Sequence, residues 1–169
     1  MEQNIYELSD KLNFIMNVKE SDKDRFKNII SWAGEMMDLT IKERMVKEIY
    51  PRKGEIWTCN MGENVGCELN KIRPVLIVSN DKGNRNSPIV TVDPISNGEE
   101  MLPTHVKLHV DSFAYTEKSI TGTVKSEQMK ALSKARLGRK IGEVTPETMV
   151  KVELSILISL GMIGELAKA

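Results

Sequence analysis

Histidine and cysteine are scarce in this chain. Its 169 residues include only two of each, His105 and His109, and Cys59 and Cys67. The cysteines are eight positions apart, a spacing that matches neither a C-x-x-C redox pair nor half of a zinc ribbon. We therefore expect reduced structural thiols, no metal site of the His/Cys type and no cofactor.

Net charge, nucleotide motifs and targeting segments are missing too. The 24 Lys and Arg residues balance the 24 Asp and Glu residues, so the chain lacks an overall basic field for nucleic acid, although a local basic face is compatible with this. No P-loop, G-x-G-x-x-G or G-x-S-x-G motif occurs. The N-terminus does not resemble a signal peptide, and serine and glycine interrupt the apolar segment near the C-terminus. A cytoplasmic protein with no membrane partner is expected.

The first 50 residues contain no proline and one glycine, and their apolar residues recur at helical spacing. This pattern predicts helices near 3–17 and from about 22 to 48, the second interrupted near Gly34 or Thr40. Pro51 ends the pattern, and β-branched residues and turns follow. We therefore predict a helical extension over 1–50 and a separate domain over 51–169.

The second domain is predicted to be mainly β. Strand patterns cover 54–60, 73–78, 89–95, 105–110, 119–126, 129–132 and, less regularly, 139–144, while 80–87 (NDKGNRNS) has the composition of a loop. Thr145 as N-cap and Pro146 at the first helical position begin a C-terminal helix of about five turns. Short strands closed by one helix predict a small, strongly bent sheet or barrel.

Arg73 is unusual because it opens the most apolar strand of the chain, RPVLIV. A charge at the mouth of a buried strand needs a partner, for which Glu68 is a candidate, or a site. Ser96 ends the next predicted strand, so an antiparallel hairpin would bring Arg73 and Ser96 to one end of the sheet. A guanidinium beside a hydroxyl suits a phosphate.

Two further segments have a structural and a functional interpretation. Lys82 and Arg85 in the predicted loop are either simply solvated or, beside Arg73, contact a nucleic-acid backbone. Glu127 and Gln128 lie at a break between two strands, where both are able to read base edges of an unstacked strand.

Several segments, in this order and spacing, resemble the MazF/PemK family of toxin ribonucleases. They are RKGEIW (52–57), VGCELNKIRPVLIVSND (65–81), GNRNSPIVTVDPIS (83–96), LPTHV (102–106) and SEQMKALSKARLG (126–138). The resemblance implies an SH3-like small barrel with a C-terminal helix that works as a homodimer. It also implies a type II toxin that cleaves single-stranded RNA at a short sequence without metal and is inhibited by a cognate antitoxin. The RNA's own 2′-hydroxyl would attack, leaving a 2′,3′-cyclic phosphate and a 5′-hydroxyl.

The resemblance also assigns roles to residues. It implies catalysis by Arg73 and Ser96, and RNA contacts by Glu68, Lys82, Asn84, Arg85, Asn97, Glu127 and Gln128, with His105 interpreted as structural. The chain departs from the family pattern in four places. Ser96 replaces the usual threonine, G-C-E-L at 66–69 replaces G-S-E-Q, Lys130 stands where arginine is common, and the compact toxins lack the 1–50 extension.

Two questions stay open at the level of the sequence. The extension is either structural, packing on the barrel or widening the dimer, or autoinhibitory, covering the groove as an antitoxin does. The domain itself is a ribonuclease, a non-catalytic module that binds nucleic acid or antitoxin, or a gyrase-directed toxin on the same barrel. Retention of Arg73 with the hydroxyl of Ser96 favours cleavage.

Overall fold

A computed structural model describes residues 6–7, 10–11, 13–14, 19–98, 102–117 and 120–164. Contacts between residues divide the chain into two units, 1–38 and 39–169. Helix α1 spans Glu20–Lys42 without a break at Gly34, and a 3₁₀ segment follows it over Glu43–Glu48. The described residues before residue 19 are helical, and the remainder of the predicted helix over 3–17 lies outside the described residues.

An antiparallel sheet forms the body of the second unit, which confirms the mainly β prediction. The elements after residue 51 are β1 (Glu55–Asn60), β2 (Ile72–Ile77), α2 (Asp81–Asn86), β3 (Ile89–Ser96), β4 (His105–Leu108), β5 (Phe113–Thr116), β6 (Gly122–Lys125), β7 (Lys130–Ser133), β8 (Leu137–Val144) and α3 (Pro146–Ser159). The strands run in the order β4-β6-β3-β2-β1-β8-β5, and β7 pairs with β3.

Strand β3 is the centre of this sheet. Its first part pairs with β2 and β7, and its last two residues, Ile95 and Ser96, pair with β6. Alternation along the strands gives the sheet two apolar faces. One face includes Leu76, Ile95 and Val124 together with α3, and the other includes Val75, Ile77 and Val92. The fully buried run Val75–Ile77 confirms the prediction of a strand covered on both sides.

The structure differs from the sequence predictions at three elements. Residues 81–86 form a helix rather than a loop, because the Asn80 side chain accepts a hydrogen bond from the Gly83 N–H and caps it. Strand β5 was not predicted, because its four residues show no clear alternation of apolar and polar side chains. Helix α3 ends earlier than predicted because Gly161, with φ +67°, terminates it through backbone bonds to the last turn. No helix in the described part of the chain combines the length and apolar character needed to cross a membrane.

Candidate active site

Arg73 and Ser96 face the same side of the β2–β3 hairpin. The antiparallel register pairs Val75 with Pro94 and Ile77 with Val92. The pairing of β2 with β3 ends at Val75 and Pro94, and the same register continued by two residues would set Arg73 across from Ser96. Because side chains alternate along a strand, both lie on the face that carries Val75 and Val92. The antiparallel hairpin predicted from the sequence therefore exists.

Arg73 and Ser96 both retain hydrogen-bonding capacity for a ligand. The half-buried Arg73 donates from Nε to the backbone oxygen of Asn70 at 2.6 Å. Glu68, the carboxylate proposed as its partner, instead pairs with Lys130 at 3.3 Å, and no ion pair among the described residues involves Arg73. The half-buried Ser96 has no side-chain hydrogen bond within the described ranges. A guanidinium edge and a hydroxyl therefore stay open to a phosphate.

Lys125 is a cation near Ser96 that the sequence interpretation did not name. It lies on β6, two positions beyond Thr123, the residue that pairs with Ser96. A Cβ added to Gly98 would lie 3.2 Å from Lys125 Nζ, so the ammonium group passes over the segment that follows Ser96. The sequence indicates only that Lys125 and Thr123, two positions apart in one strand, share a face of the sheet. Lys125 adds a second cation to the end of the sheet that holds Ser96.

A groove lies between the loop of residues 62–71 and the 3₁₀ turn Ser126–Gln128. It encloses about 530 Å³. Three of the predicted RNA-contacting residues, Glu68, Glu127 and Gln128, line it together. The other lining residues are Met61, Val65, Cys67, Leu69, Met129 and Lys130. The loop also accepts the Arg73 hydrogen bond at Asn70, so one loop connects the groove with the Arg73 side chain.

Glu127 is bonded from the strand next to it. Its carboxylate accepts from Thr104 Oγ1 at 2.8 Å and from His105 Nε2 at 3.0 Å. His105 Nδ1 accepts from the Leu102 N–H, which assigns the ring proton to Nε2. Burial by itself would raise the pKa of Glu127, but these hydrogen bonds and one from its own backbone hold that pKa below the usual value. The buried His105 thus orients Glu127, in agreement with its predicted structural role.

Gln128 and Lys130 hold the opposite wall of the groove. The Gln128 amide bonds the backbone of the 62–71 loop at two points. Lys130 Nζ donates to Asn64 Oδ1 at 3.1 Å and to Glu68 Oε2 at 3.3 Å. Glu127 and Gln128 both line the groove, and the hydrogen bonds of Gln128 to the 62–71 loop also maintain its shape.

The segment 80–87 does not lie beside Arg73, and that expectation was wrong. Helix α2 connects the far ends of β2 and β3, and β3 extends about 3.3 Å per residue, so Ser96 is on the order of 20 Å away. Asn84 is 1% exposed, and its amide bonds Ser79, so it belongs to the interior and not to an RNA-binding surface. Lys82 and Arg85 are exposed at that far end, whereas the exposed Asn97 directly follows Ser96.

Comparison with known proteins identifies the family of the chain. The family model "PemK-like, MazF-like toxin of type II toxin-antitoxin system" matches residues 52–160. Endoribonuclease MazF of Staphylococcus epidermidis is 32% identical over 113 residues, which are 66% of this chain and 92% of that protein. Endoribonuclease EndoA of Bacillus subtilis (strain 168) is 33% identical over 114 residues, 66% of this chain and 96% of that protein.

Solved structures show the same likeness. An endoribonuclease in complex with its cognate antitoxin from Mycobacterial species matches with a TM-score of 0.56 and 29% identity. The match covers 68% of this chain and 98% of that one, and residues 1–51 lie outside the family match. The chain belongs to the PemK-like, MazF-like toxins of type II toxin–antitoxin systems, the family of these endoribonucleases.

Proposed function

We propose that this toxin is an endoribonuclease that cuts single-stranded mRNA at a short sequence, in the cytoplasm and without a metal ion. The observation that carries the proposal is the antiparallel register of β2 with β3, which, continued two residues past the Val75–Pro94 pair, would set Arg73 across from Ser96 on one face. Both side chains keep capacity for a phosphate, and Lys125 lies near the same end of the sheet.

The proposed reaction uses a nucleophile that the RNA itself supplies. The 2′-hydroxyl loses its proton and attacks the adjacent phosphorus, while the bond from phosphorus to O5′ breaks and O5′ gains a proton. The products are a 2′,3′-cyclic phosphate and a 5′-hydroxyl. Arg73 is a poor general base, since the pKa of arginine is above about 12. Its role is to clamp the phosphate and stabilise the charge that develops there, and Ser96 donates a hydrogen bond to a phosphoryl oxygen.

RNA bases are proposed to occupy the groove beside the 62–71 loop. Exposed Glu68 lines this space together with Glu127 and Gln128, and Asn97 lies next to Ser96. Cys67 and Leu69 on the same loop make its lining differ from the familiar G-S-E-Q pattern, so a different base sequence is expected.

A cognate antitoxin and a second copy of the chain are the proposed protein partners. The antitoxin is supported by the solved complex of the mycobacterial relative with its own antitoxin. The homodimer is implied by the resemblance to the family. Lys82 and Arg85 lie far from Ser96, so they are retained only as contacts for the backbone of a longer RNA.

Cleavage of a long mixed-sequence RNA in excess EDTA tests the proposal. Wild type should cut at one short motif and leave cyclic-phosphate ends. Arg73→Ala should lower the rate by on the order of 100-fold or more. Arg52→Ala is the matched control, because it removes an exposed arginine that is assigned no contact with RNA, and it should cut normally.

Three outcomes would contradict parts of the proposal. Loss of cleavage in EDTA would contradict metal independence. Equal activity of wild type and Arg73→Ala would remove Arg73 from catalysis. If neither the full-length chain nor a variant without its N-terminal extension cleaves RNA, a non-catalytic binding module or a gyrase-directed toxin is favoured.

A further inference from the structure

A chain of buried polar groups connects strand β3 with helix α3. Asp93, Ser126 and Ser155 are at most 1% exposed. Ser126 Oγ lies 2.9 Å from Asp93 Oδ2 and 2.7 Å from Ser155 Oγ, and Ser155 Oγ lies 2.7 Å from the backbone oxygen of Val152. Ser126 begins the 3₁₀ turn that also carries Glu127 and Gln128. Asp93 precedes Ser96 by three residues and points to the opposite face of β3, towards α3.

The number of hydrogens decides the protonation state that fits this geometry. Three short contacts between oxygens need three hydrogens, and the two serine hydroxyls supply two. If Asp93 is ionised, one of these three contacts has no hydrogen between its two oxygens and is therefore not a hydrogen bond. With a proton on Asp93 Oδ2, the acid donates to Ser126, Ser126 donates to Ser155, and Ser155 donates to the Val152 carbonyl. Only the neutral acid makes every contact a hydrogen bond.

The second oxygen of the carboxyl points to the same state. Asp93 Oδ1 is buried and has no hydrogen-bond partner among the described residues. An unpaired oxygen costs less in a neutral acid than in a carboxylate, because a buried charge without compensation is the most costly group to desolvate. Burial raises the pKa of Asp93 to about 6, the Ser126 hydrogen bond opposes this shift, and the nearby Glu127 carboxylate adds to it.

Among the described residues, the charged group that acts on Asp93 is an anion, the Glu127 carboxylate. From β2, the residue opposite Asp93 in the register is the apolar Leu76. From α3, Ser155 and Val152 are uncharged. From the turn, Glu127 is acidic and is itself bonded to His105.

We propose that Asp93, in its neutral form, is a positioning residue that fixes the Ser126–Gln128 turn, and hence the E-Q wall of the groove, to β3 and α3. When Asp93 ionises, one of the three oxygen–oxygen contacts loses its hydrogen, and the turn is held less firmly. The inference rests on the proposed function, because it assigns the groove to RNA.

The test compares Asp93→Asn with Asp93→Leu in the full-length chain. The asparagine amide donates to Ser126 without titrating, whereas leucine has similar size and no hydrogen bond. KM and kcat for a cleavable RNA, and Tm, are measured between pH 5 and 8. Exposed Asp111→Asn is the matched control and should behave as wild type throughout.

The expected results separate positioning from a purely structural role. In wild type, KM should rise several-fold above pH 6. Asp93→Asn should keep the low-pH KM at every pH and have a higher Tm than wild type at pH 8. Asp93→Leu should raise KM several-fold at every pH with kcat nearly unchanged, because Arg73 and Ser96 are intact. A lower Tm with unchanged KM in Asp93→Leu would reduce Asp93 to a structural residue and overturn the proposal.

A measurement without RNA keeps this inference separate from the proposed function. Carboxyl ¹³C NMR of the wild-type protein should show Asp93 still protonated near pH 5, above the pH at which an ordinary exposed aspartate loses its proton. Amide exchange of residues 126–128 should be faster in Asp93→Leu than in Asp93→Asn. Titration of Asp93 together with the exposed carboxyls would overturn the inference even if the protein cleaves RNA. Absence of cleavage with the expected NMR result would overturn only the RNA assignment.

Discussion

Gln128 accepts a hydrogen bond from the backbone N–H of Leu69, with 2.8 Å between Oε1 and the nitrogen. The other end of the same amide, Nε2, donates to the backbone oxygen of Cys67 at 3.2 Å. One side chain thus pairs with the 62–71 loop much as a neighbouring strand would. The loop wall of the groove is therefore held from the turn that Ser126 begins.

Replacing Gln128 with alanine should loosen this loop. Both bonds are lost, and water can reach the freed backbone groups, so we expect a stability loss of about 1–2 kcal/mol. Amide exchange at Leu69 should become faster, and KM for RNA should rise while kcat is nearly kept. Gln128→Glu is the informative control, because it still accepts from Leu69 but has no hydrogen for Cys67. Its effect should be intermediate, and equal exchange in all three proteins would contradict this role.

Ser96 stands where the family usually has threonine, and its hydroxyl is the group that should matter. Ser96→Ala should lower the cleavage rate on the order of 100-fold, because it removes one donor to the phosphate. Ser96→Thr should cleave at close to the wild-type rate, since it keeps the hydroxyl and β-branched residues suit a strand. Initial rates at saturating RNA measure both. A Thr variant as slow as the Ala variant would show that steric fit, and not the donor, determines activity.

The relation between Arg73 and Ser96 was predictable from the sequence because it is local. Two strand patterns joined by a short connection require an antiparallel hairpin, and its register then brings the start of one strand to the end of the next. The apolar run RPVLIV likewise indicated a strand buried on both faces. The C-terminal helix was predictable from Thr145 and Pro146, which the structure uses as its cap and first residue.

The remaining site features depend on contacts between residues far apart in the chain. Alternation shows that Lys125 shares a face with Thr123, but only the β3–β6 pairing brings it near Ser96. Asp93 looks anomalous in VTVDPIS, yet its partner Ser126 is 33 positions later, and Ser155, which bonds Ser126, is 62 positions later. The 80–87 segment was wrongly expected beside Arg73, because it joins the end of β2 to the start of β3, whereas Arg73 lies near the start of β2.

The Glu55–Lys140 ion pair predicts a pH-dependent mutational effect. Glu55 is 8% exposed and accepts from Lys140 Nζ, Trp57 Nε1 and the Arg52 N–H, each at 2.9 Å. Burial alone would raise the pKa of Glu55, but these bonds lower it below 4.5. A carboxyl with a lowered folded-state pKa stabilises the fold above its unfolded pKa, and this contribution is lost as pH falls through the folded value.

Lys140→Met should therefore destabilise the protein by about 1–2 kcal/mol at pH 7 and by less at pH 4, because the charge that Lys140 compensates is lost progressively as Glu55 takes up a proton. Urea unfolding at the two pH values measures the difference. Lys151→Met on the exposed side of α3 is the matched control and should be neutral at both. An equal loss at pH 7 and pH 4 would show that the packing of the lysine stem, and not its charge, stabilises β8.

The contacts of residues 39–50 determine how much of the N-terminal extension can be removed without destabilising the barrel unit. The contact boundary lies after residue 38, so residues 39–50 belong to the barrel unit. Within that unit Lys42 Nζ donates to the Leu137 carbonyl at 3.3 Å, and Val46 is 3% exposed. Removing 1–38 leaves both contacts, whereas removing 1–48 deletes both. Loss of a buried valine typically costs about 1.5–3 kcal/mol, so the shorter chain should unfold at clearly lower urea concentration.

The same two truncations separate the two roles open for the extension. If it is autoinhibitory, the chain lacking 1–38 should cleave RNA faster than the full-length protein at equal concentration, and an unchanged rate would contradict that role. If it is structural, the same variant should lose dimer or solubility, which sedimentation measures, and unchanged assembly would contradict that role. Because the chain lacking 1–38 retains Val46 and the Lys42 bond, either result can be assigned to the extension. With the 1–48 deletion alone, damage to the barrel would be mistaken for loss of a regulatory segment.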